Sequence, residues 1–203
     1  MFKLSYQKYL DGLYKDKSGY IGYQLEEKEL SQKHQIDLTY GEIIYQGVDA
    51  IIDHLVFNEE DVFYDLGSGI GKVVLQLFLK TPVKKSIGIE ASTARHNCAE
   101  EVFNVAKKEY QARFQDQREF KSIQGNFLLH PIVDATVVFT NSRCFNDEML
   151  VDLAKILNNC PLLKQVISLQ PMSLKLPFKR TVGLECSWLH GKKTKCYLYS
   201  YLK

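Results

Sequence analysis

An acid stands two residues ahead of three glycines set at alternate positions: Asp65, then Gly67, Gly69 and Gly71. Glycine is needed where a backbone must turn sharply and where a Cβ would block a ligand's approach. The dinucleotide fingerprint spaces its glycines GxGxxG so that a helix start receives a pyrophosphate. Here the third glycine comes one position early, and Lys72 stands where that fingerprint wants Gly or Ala. Asp65 decides between ligands, because a carboxylate repels a pyrophosphate and attracts an ammonium. Glu90 follows nineteen residues after Gly71, the distance at which an acid can hold a ribose diol with both oxygens. Asn126 can hydrogen-bond an adenine amino group, and Phe127 can stack on its ring. The chemistry implied is the binding of a nucleotide-like ligand that carries an ammonium and no phosphate. A glycine turn without a ligand, a surface glutamate and an ordinary Asx turn are the plainer readings of the same positions.

These residues need strands to carry them. Val62 to Tyr64 is apolar and aromatic, as the end of a buried parallel strand should be, and Val73 to Leu79 reads as the helix after the turn. Strand, glycine turn and helix together mark the place where an open α/β sheet binds its ligand, at the carboxyl ends of the strands. Apolar spacings of three and four predict a helix from about Glu42 to Phe57, preceded by Thr39-Tyr40-Gly41-Glu42. Ser86 to Glu90 is the second expected strand. Ala91 to Arg118 is a long amphipathic helix whose stripe includes Ala99, Phe103 and Ala106. Phe120 to Gln124 and Ile132 to Thr140 are the third and fourth strands, and the fourth delivers Asn141 to the same sheet edge. A helix over Asp147 to Asn159 and a strand over Gln165 to Leu169 follow. Two last strands, about Thr181 to Leu189 and Thr194 to Leu202, flank a hairpin turn at His190 to Lys193.

Composition sets outer bounds. The chain of 203 residues is 45% hydrophobic and 25% charged, an ordinary globular balance at one domain's length. Residues 1–36 mix aromatic and glycine positions with a Glu/Lys-rich stretch and hold too little apolar material for a core. They read as a helical extension or lid on a domain spanning 37–203. The net charge of +2 names no partner. Between Pro171 and Lys203, however, seven basic residues face one acid, Glu185, a patch suited to nucleic acid or an acidic protein surface. Five cysteines without CxxC pairing, and no secretory signal, fit reduced thiols in an intracellular protein. No apolar run reaches membrane-spanning length, and the histidines make no metal-ligand spacing.

S-adenosylmethionine has the ammonium, a sulfonium and no phosphate, and DxGxGxG after an apolar strand resembles the first motif of class I methyltransferases. The expected fold is therefore α/β, a Rossmann-like, seven-stranded and mostly parallel sheet with a C-terminal antiparallel hairpin and a short N-terminal helical extension. Thr39-Tyr-Gly-Glu42, Tyr64-Asp-Leu-Gly-Ser-Gly-Ile-Gly71, Gly88-Ile-Glu90 and Gly125-Asn-Phe127 together resemble the non-SET protein lysine methyltransferases named for disruption of telomeric silencing. That resemblance implies that Tyr40, Gly41 and Glu42 close over the methionine end of the cofactor. It implies that Asp65 and Gly67, with Gly69 and Lys72 beside them, hold the amino acid moiety, Glu90 the ribose, and Asn126 and Phe127 the adenine. Asn141 to Phe145 stands where the family has Asn-Asn-Phe-x-Phe; its first Asn and last Phe remain, while Ser142 and Arg143 depart. Lys72 replaces a Gln. Tyr197 matches a channel tyrosine of the closing hairpin.

The implied reaction is an in-line displacement, in which placement matters more than covalent chemistry. The acceptor lysine must first lose its proton, at a cost of about 4 kcal/mol near pH 7.4. A narrow aromatic channel lowers that cost by disfavouring the charged form. Phe145 and Tyr197 are the expected channel walls, with Asn141 near the reacting centre and no general base. The expected partner is a protein presenting a lysine, with a nucleosome or nucleic acid met through the basic 171–203 region. Methyl transfer to a small molecule or nucleic acid, and a non-catalytic cofactor-binding module, remain as alternatives.

Overall fold

The computed structural model describes residues 6–20, 41–111, 117–189 and 192–202. Among these, seven strands form one sheet in the order β3-β2-β1-β4-β5-β7-β6. Five are parallel: β1 (Val62–Leu66), β2 (Lys85–Glu90), β3 (Glu119–Gln124), β4 (Val137–Thr140) and β5 (Gln165–Ser168). β7 (Lys193–Ser200) runs antiparallel to both β5 and β6 (Phe178–Glu185), giving the C-terminal hairpin. β1, β4 and β5 are buried along their whole length, as parallel strands covered on both faces should be.

Alternation along the strands splits the core into two layers. Phe63, Phe139 and Ile167 point to a face covered by α1 (Tyr6–Leu13), α2 (Tyr45–His54), α3 (Lys72–Lys80) and α4 (Thr93–Gln111). Tyr64, Val138 and Val166 point to the other face, where α5 (Asp147–Asn158) packs through Leu150, Leu153 and Leu157. α1 lies within the expected N-terminal extension and buries Leu10 against the first layer, joined by Tyr14 of the turn that follows it. Residues 21–36 of that extension lie outside the described residues, as does the hairpin turn at His190-Gly191.

Several boundaries differ from the sequence expectation. The fourth strand is Val137–Thr140 rather than Ile132 to Thr140. Ile132 to Ala135 instead closes a turn, the Ala135 N–H donating to the Ile132 carbonyl at 3.0 Å. Both residues are buried in the second layer, so their apolar character serves packing and not strand pairing. The helix expected from Glu42 begins at Tyr45, because Ile43 is extended and bridges Cys186. The long helix is described over Thr93–Gln111, residues 112–116 lie outside the described residues, and Arg118 is not helical. The hairpin's first strand runs Phe178–Glu185 and gives way to a 3-10 turn at Ser187–Leu189.

Candidate active site

The carboxyl ends of β1, β2 and β4 converge on a groove lined by Asp65, the 67–69 turn, Lys72, Phe139 and Asn141, and roofed by the strap Gly41–Ile43. Gly67, Gly69 and Gly71 all have positive φ, 84°, 56° and 80°. At Gly67 nothing stands within 4 Å of where a Cβ would be, so the turn leaves an open approach. Gly71 is required for a second reason, since a Cβ there would lie 2.5 Å from the Phe103 ring.

Asp65, the penultimate residue of β1, is 2% exposed, and its Oδ1 has no hydrogen-bond partner among the described residues. Burial, with the Glu90 charge adding to it, pushes its carboxyl up to about 8. The Asn141 Oδ1 and the Ser68 Oγ are likewise buried without a partner. An unsatisfied buried polar atom costs about 1–3 kcal/mol, so three around one groove fit a ligand that brings donors, an ammonium above all.

Glu90, 4% exposed, ends β2 and accepts from the Gly69 N–H at 2.7 Å and the Ser92 N–H at 2.9 Å. Burial raises its pKa, and these backbone donors and Arg95 oppose the rise. The carboxylate thus ties the glycine turn to the end of β2. With the Gly69, Ala91 and Ser92 N–H groups on it, the carboxylate keeps acceptor capacity for a diol hydroxyl.

The strap is held from three sides. The Asn141 amide donates to the Gly41 carbonyl at 3.0 Å. Glu42 pairs with Lys72 at 2.6 Å, and its backbone exchanges hydrogen bonds with Ser187. Trp188 packs so tightly on Gly41 that a Cβ there would stand 2.6 Å from its ring. Tyr40 lies outside the described residues.

Asn126 and Phe127 follow the carboxyl end of β3. Asn126 uses its Oδ1 to accept from the Leu128 N–H at 2.9 Å, the Asx turn of the plainer reading. Phe127 stacks on Phe145, ring centroids 5.4 Å apart and planes 27° apart. Phe145 and Tyr197 both pack against the layer on the α5 side, opposite to the one that receives Phe139. Phe139 lines the groove and Trp188 packs on its roof. Phe139 was legible by counting back two from Asn141 along a strand. Trp188, the single tryptophan, was visible only as part of the hairpin.

Ser142 gains a structural account. Its buried Oγ accepts from the Leu169 and Gln170 N–H groups at 3.1 and 3.0 Å. Gln170 in turn donates to the Ser142 and Phe145 carbonyls, so the segment after Asn141 is clamped to the end of β5. Arg143 is exposed. On the far edge, Lys179 and Arg180 of β6 and Lys193 and Lys195 of β7 are solvent-facing, which gathers the basic residues along one rim of the sheet.

Comparison with known proteins agrees with this geometry. Among solved structures, an RNA methyltransferase from Salinibacter ruber in complex with S-adenosyl-L-homocysteine is similar at a TM-score of 0.54 and 24% identity. That match covers 75% of this chain and 88% of the other. The methyltransferase domain of bacterial CtHen1 is similar at 0.56 and 12%, covering 76% and 97%. These likenesses give the class I methyltransferase fold. Among sequences, the H3 lysine-79 specific histone-lysine N-methyltransferase of Drosophila melanogaster is 38% identical over 112 residues, 53% of this chain and 6% of that protein. Its Caenorhabditis elegans namesake is 37% identical over 128 residues, 57% and 14%. The chain thus spans a small fraction of these relatives' length. The family model described as "Histone methylation protein DOT1" matches residues 25–181, across the strap, the glycine turn, Glu90 and Asn141, and the chain belongs to that family.

Proposed function

We propose that this protein is an S-adenosylmethionine-dependent methyltransferase whose acceptor is a protein lysine. The observation that carries the reading is that one groove is lined by Asp65 and Asn141, whose buried Oδ1 atoms both have no partner among the described residues. Asp65 would take the ammonium of the amino acid moiety, Lys72 its carboxylate, Glu90 the ribose, and Asn126 and Phe127 the adenine. The bound cofactor supplies an electrophilic methyl on a sulfonium.

Phe139 lines the groove beside Asn141, and Trp188 covers the strap at Gly41; such hydrocarbon favours the uncharged acceptor amine by excluding water. Asn141 offers its Oδ1 as an acceptor for an amine N–H, orienting the nitrogen lone pair for in-line attack. The described groove holds no general base for the departing lysine proton, which leaves to solvent before transfer. An H3 lysine, the acceptor named for the fly and nematode relatives, is the acceptor we propose, with the basic β6–β7 rim facing acidic chromatin and the protein acting inside the cell.

Calorimetric titration with S-adenosylmethionine, then incubation of labelled cofactor with histone octamers and with nucleosomes, tests the proposal. Saturable heat and a protein label that survives nuclease and maps to lysine are the expected results. Label that nuclease removes would move the assignment to nucleic acid, and no heat would refute cofactor binding.

A further inference from the structure

We infer that Tyr14 of the N-terminal extension is a positioning residue for the groove, its ring seating the Lys72 ammonium that, through Glu42, holds the strap over the cofactor site. This rests on the reading of the groove as an S-adenosylmethionine site.

Lys72 is the first residue of α3. A cation at a helix N-terminus is opposed by the helix dipole, so this ammonium needs compensation from outside its own helix. Two groups supply it. The Glu42 carboxylate lies 2.6 Å from the Lys72 Nζ, and the Tyr14 ring presents its face with the centroid 5.5 Å away. Glu42 belongs to the strap, whose Gly41 carbonyl in turn receives the Asn141 amide. Three links therefore join Tyr14, in the turn after α1, to the residue at the centre of the proposed chemistry.

The first link is fixed in place. Tyr14 is 7% exposed and Leu10 6%, and Lys17 pairs with Glu101 of α4, so the segment carrying the ring is docked at both ends. The Tyr14 hydroxyl has no partner among the described residues, and burial holds the phenol neutral. What Tyr14 offers Lys72 is thus the face of an uncharged ring, not a hydrogen bond. A cavity opens between α1 and the strap, bounded by Tyr14, Lys72 and Glu42, so the three are not locked by close packing from all sides. Without the ring the ammonium is free to leave Glu42 for water, and the strap loses one of its three attachments.

The test is a double-mutant cycle on the full chain, reading S-adenosylhomocysteine affinity by calorimetry and folding by thermal melting. Tyr14→Leu is expected to weaken binding about fivefold in the native background and by less than twofold in a Lys72→Met background. Tyr14→Phe, which keeps the ring and drops the hydroxyl, is expected to bind within twofold of the native protein. Equal losses from Tyr14→Leu in both backgrounds would show that α1 merely stabilises the fold, and would overturn the inference while leaving the cofactor reading intact. No binding by the native protein would overturn both. Should the Leu variant lose its cooperative melt, Tyr14→Met repeats the cycle with a flexible side chain in the same space.

Discussion

Replacing Asp65 by Asn should stabilise the ligand-free protein, and by an amount that grows with pH. The carboxyl lies one residue before the end of a central strand at 2% exposure, beside the Glu90 charge, with one oxygen unpartnered among the described residues. Its pKa rises from 3.8 to about 8 on folding. The sign follows directly. A group whose pKa is raised by folding contributes its full stability below the unfolded value, and loses it as pH rises toward and through the folded one. Between those two values the native state holds one more proton than the unfolded chain, so stability falls by about 1.36 kcal/mol per pH unit. From pH 5 to pH 8 that makes about 3–4 kcal/mol, the last half-unit contributing less as the native carboxyl begins to ionise. An amide of the same shape carries no such dependence. The advantage of Asp65→Asn should therefore widen over this range, and at about 2–4 °C per kcal/mol the gap in Tm should grow by roughly 6–16 °C. Melting both proteins at pH 5, 6, 7 and 8 measures it. A constant difference across the series, or a variant that melts lower at pH 8, would refute the account of Asp65 as a carboxyl buried without a counter-charge. The same variant should bind S-adenosylmethionine far more weakly, since the feature that destabilises the empty groove is the one proposed to hold the ammonium.

Three further outcomes are expected. Pairing Asp65 with an ammonium must ionise it, so binding at pH 7 should release close to one proton per ligand. The observed enthalpy should then vary with buffer ionisation enthalpy, and a flat line across buffers counts against the pairing. Asn141→Ala removes both the tie to the Gly41 carbonyl and the acceptor offered to the amine. Single-turnover methyl transfer should fall at least about tenfold with a smaller loss of cofactor affinity, and full turnover at unchanged affinity would clear Asn141 of any role. Gly71→Ala places a side chain at φ 80° and 2.5 Å from the Phe103 ring. The left-handed backbone costs about 1–2 kcal/mol and the overpacking about 1–3, so urea unfolding should show a loss of at least about 2 kcal/mol; a loss under half of that would mean the α3–α4 contact yields easily.

The glycine turn, Glu90 and the long apolar strands were legible because their signals are local. Positive φ selects glycine, and burial on both faces selects continuous apolar runs, whatever the rest of the chain does. The fourth strand was overextended for the same reason: Ile132 and Ala135 are buried, and burial alone does not distinguish a strand from a turn packed under a helix. The aromatic residues were harder. The faces that Phe145 and Tyr197 take depend on strand register and on the 3-10 turn after β4, neither of which is written in local spacing.

By itself the sequence determined the class of fold, the edge of the sheet that carries the site, and the charge complement of the ligand, since Asp65 and the glycines sit in one uninterrupted stretch. Only the tertiary structure decided which distant residues close that site. Lys72 meets Glu42 thirty residues away, Asn141 meets Gly41 a hundred away, and Trp188 lands on Gly41 from the C-terminal hairpin. Such contacts follow from the order in which strands pair and from the face each side chain takes, and these are properties of the assembled sheet.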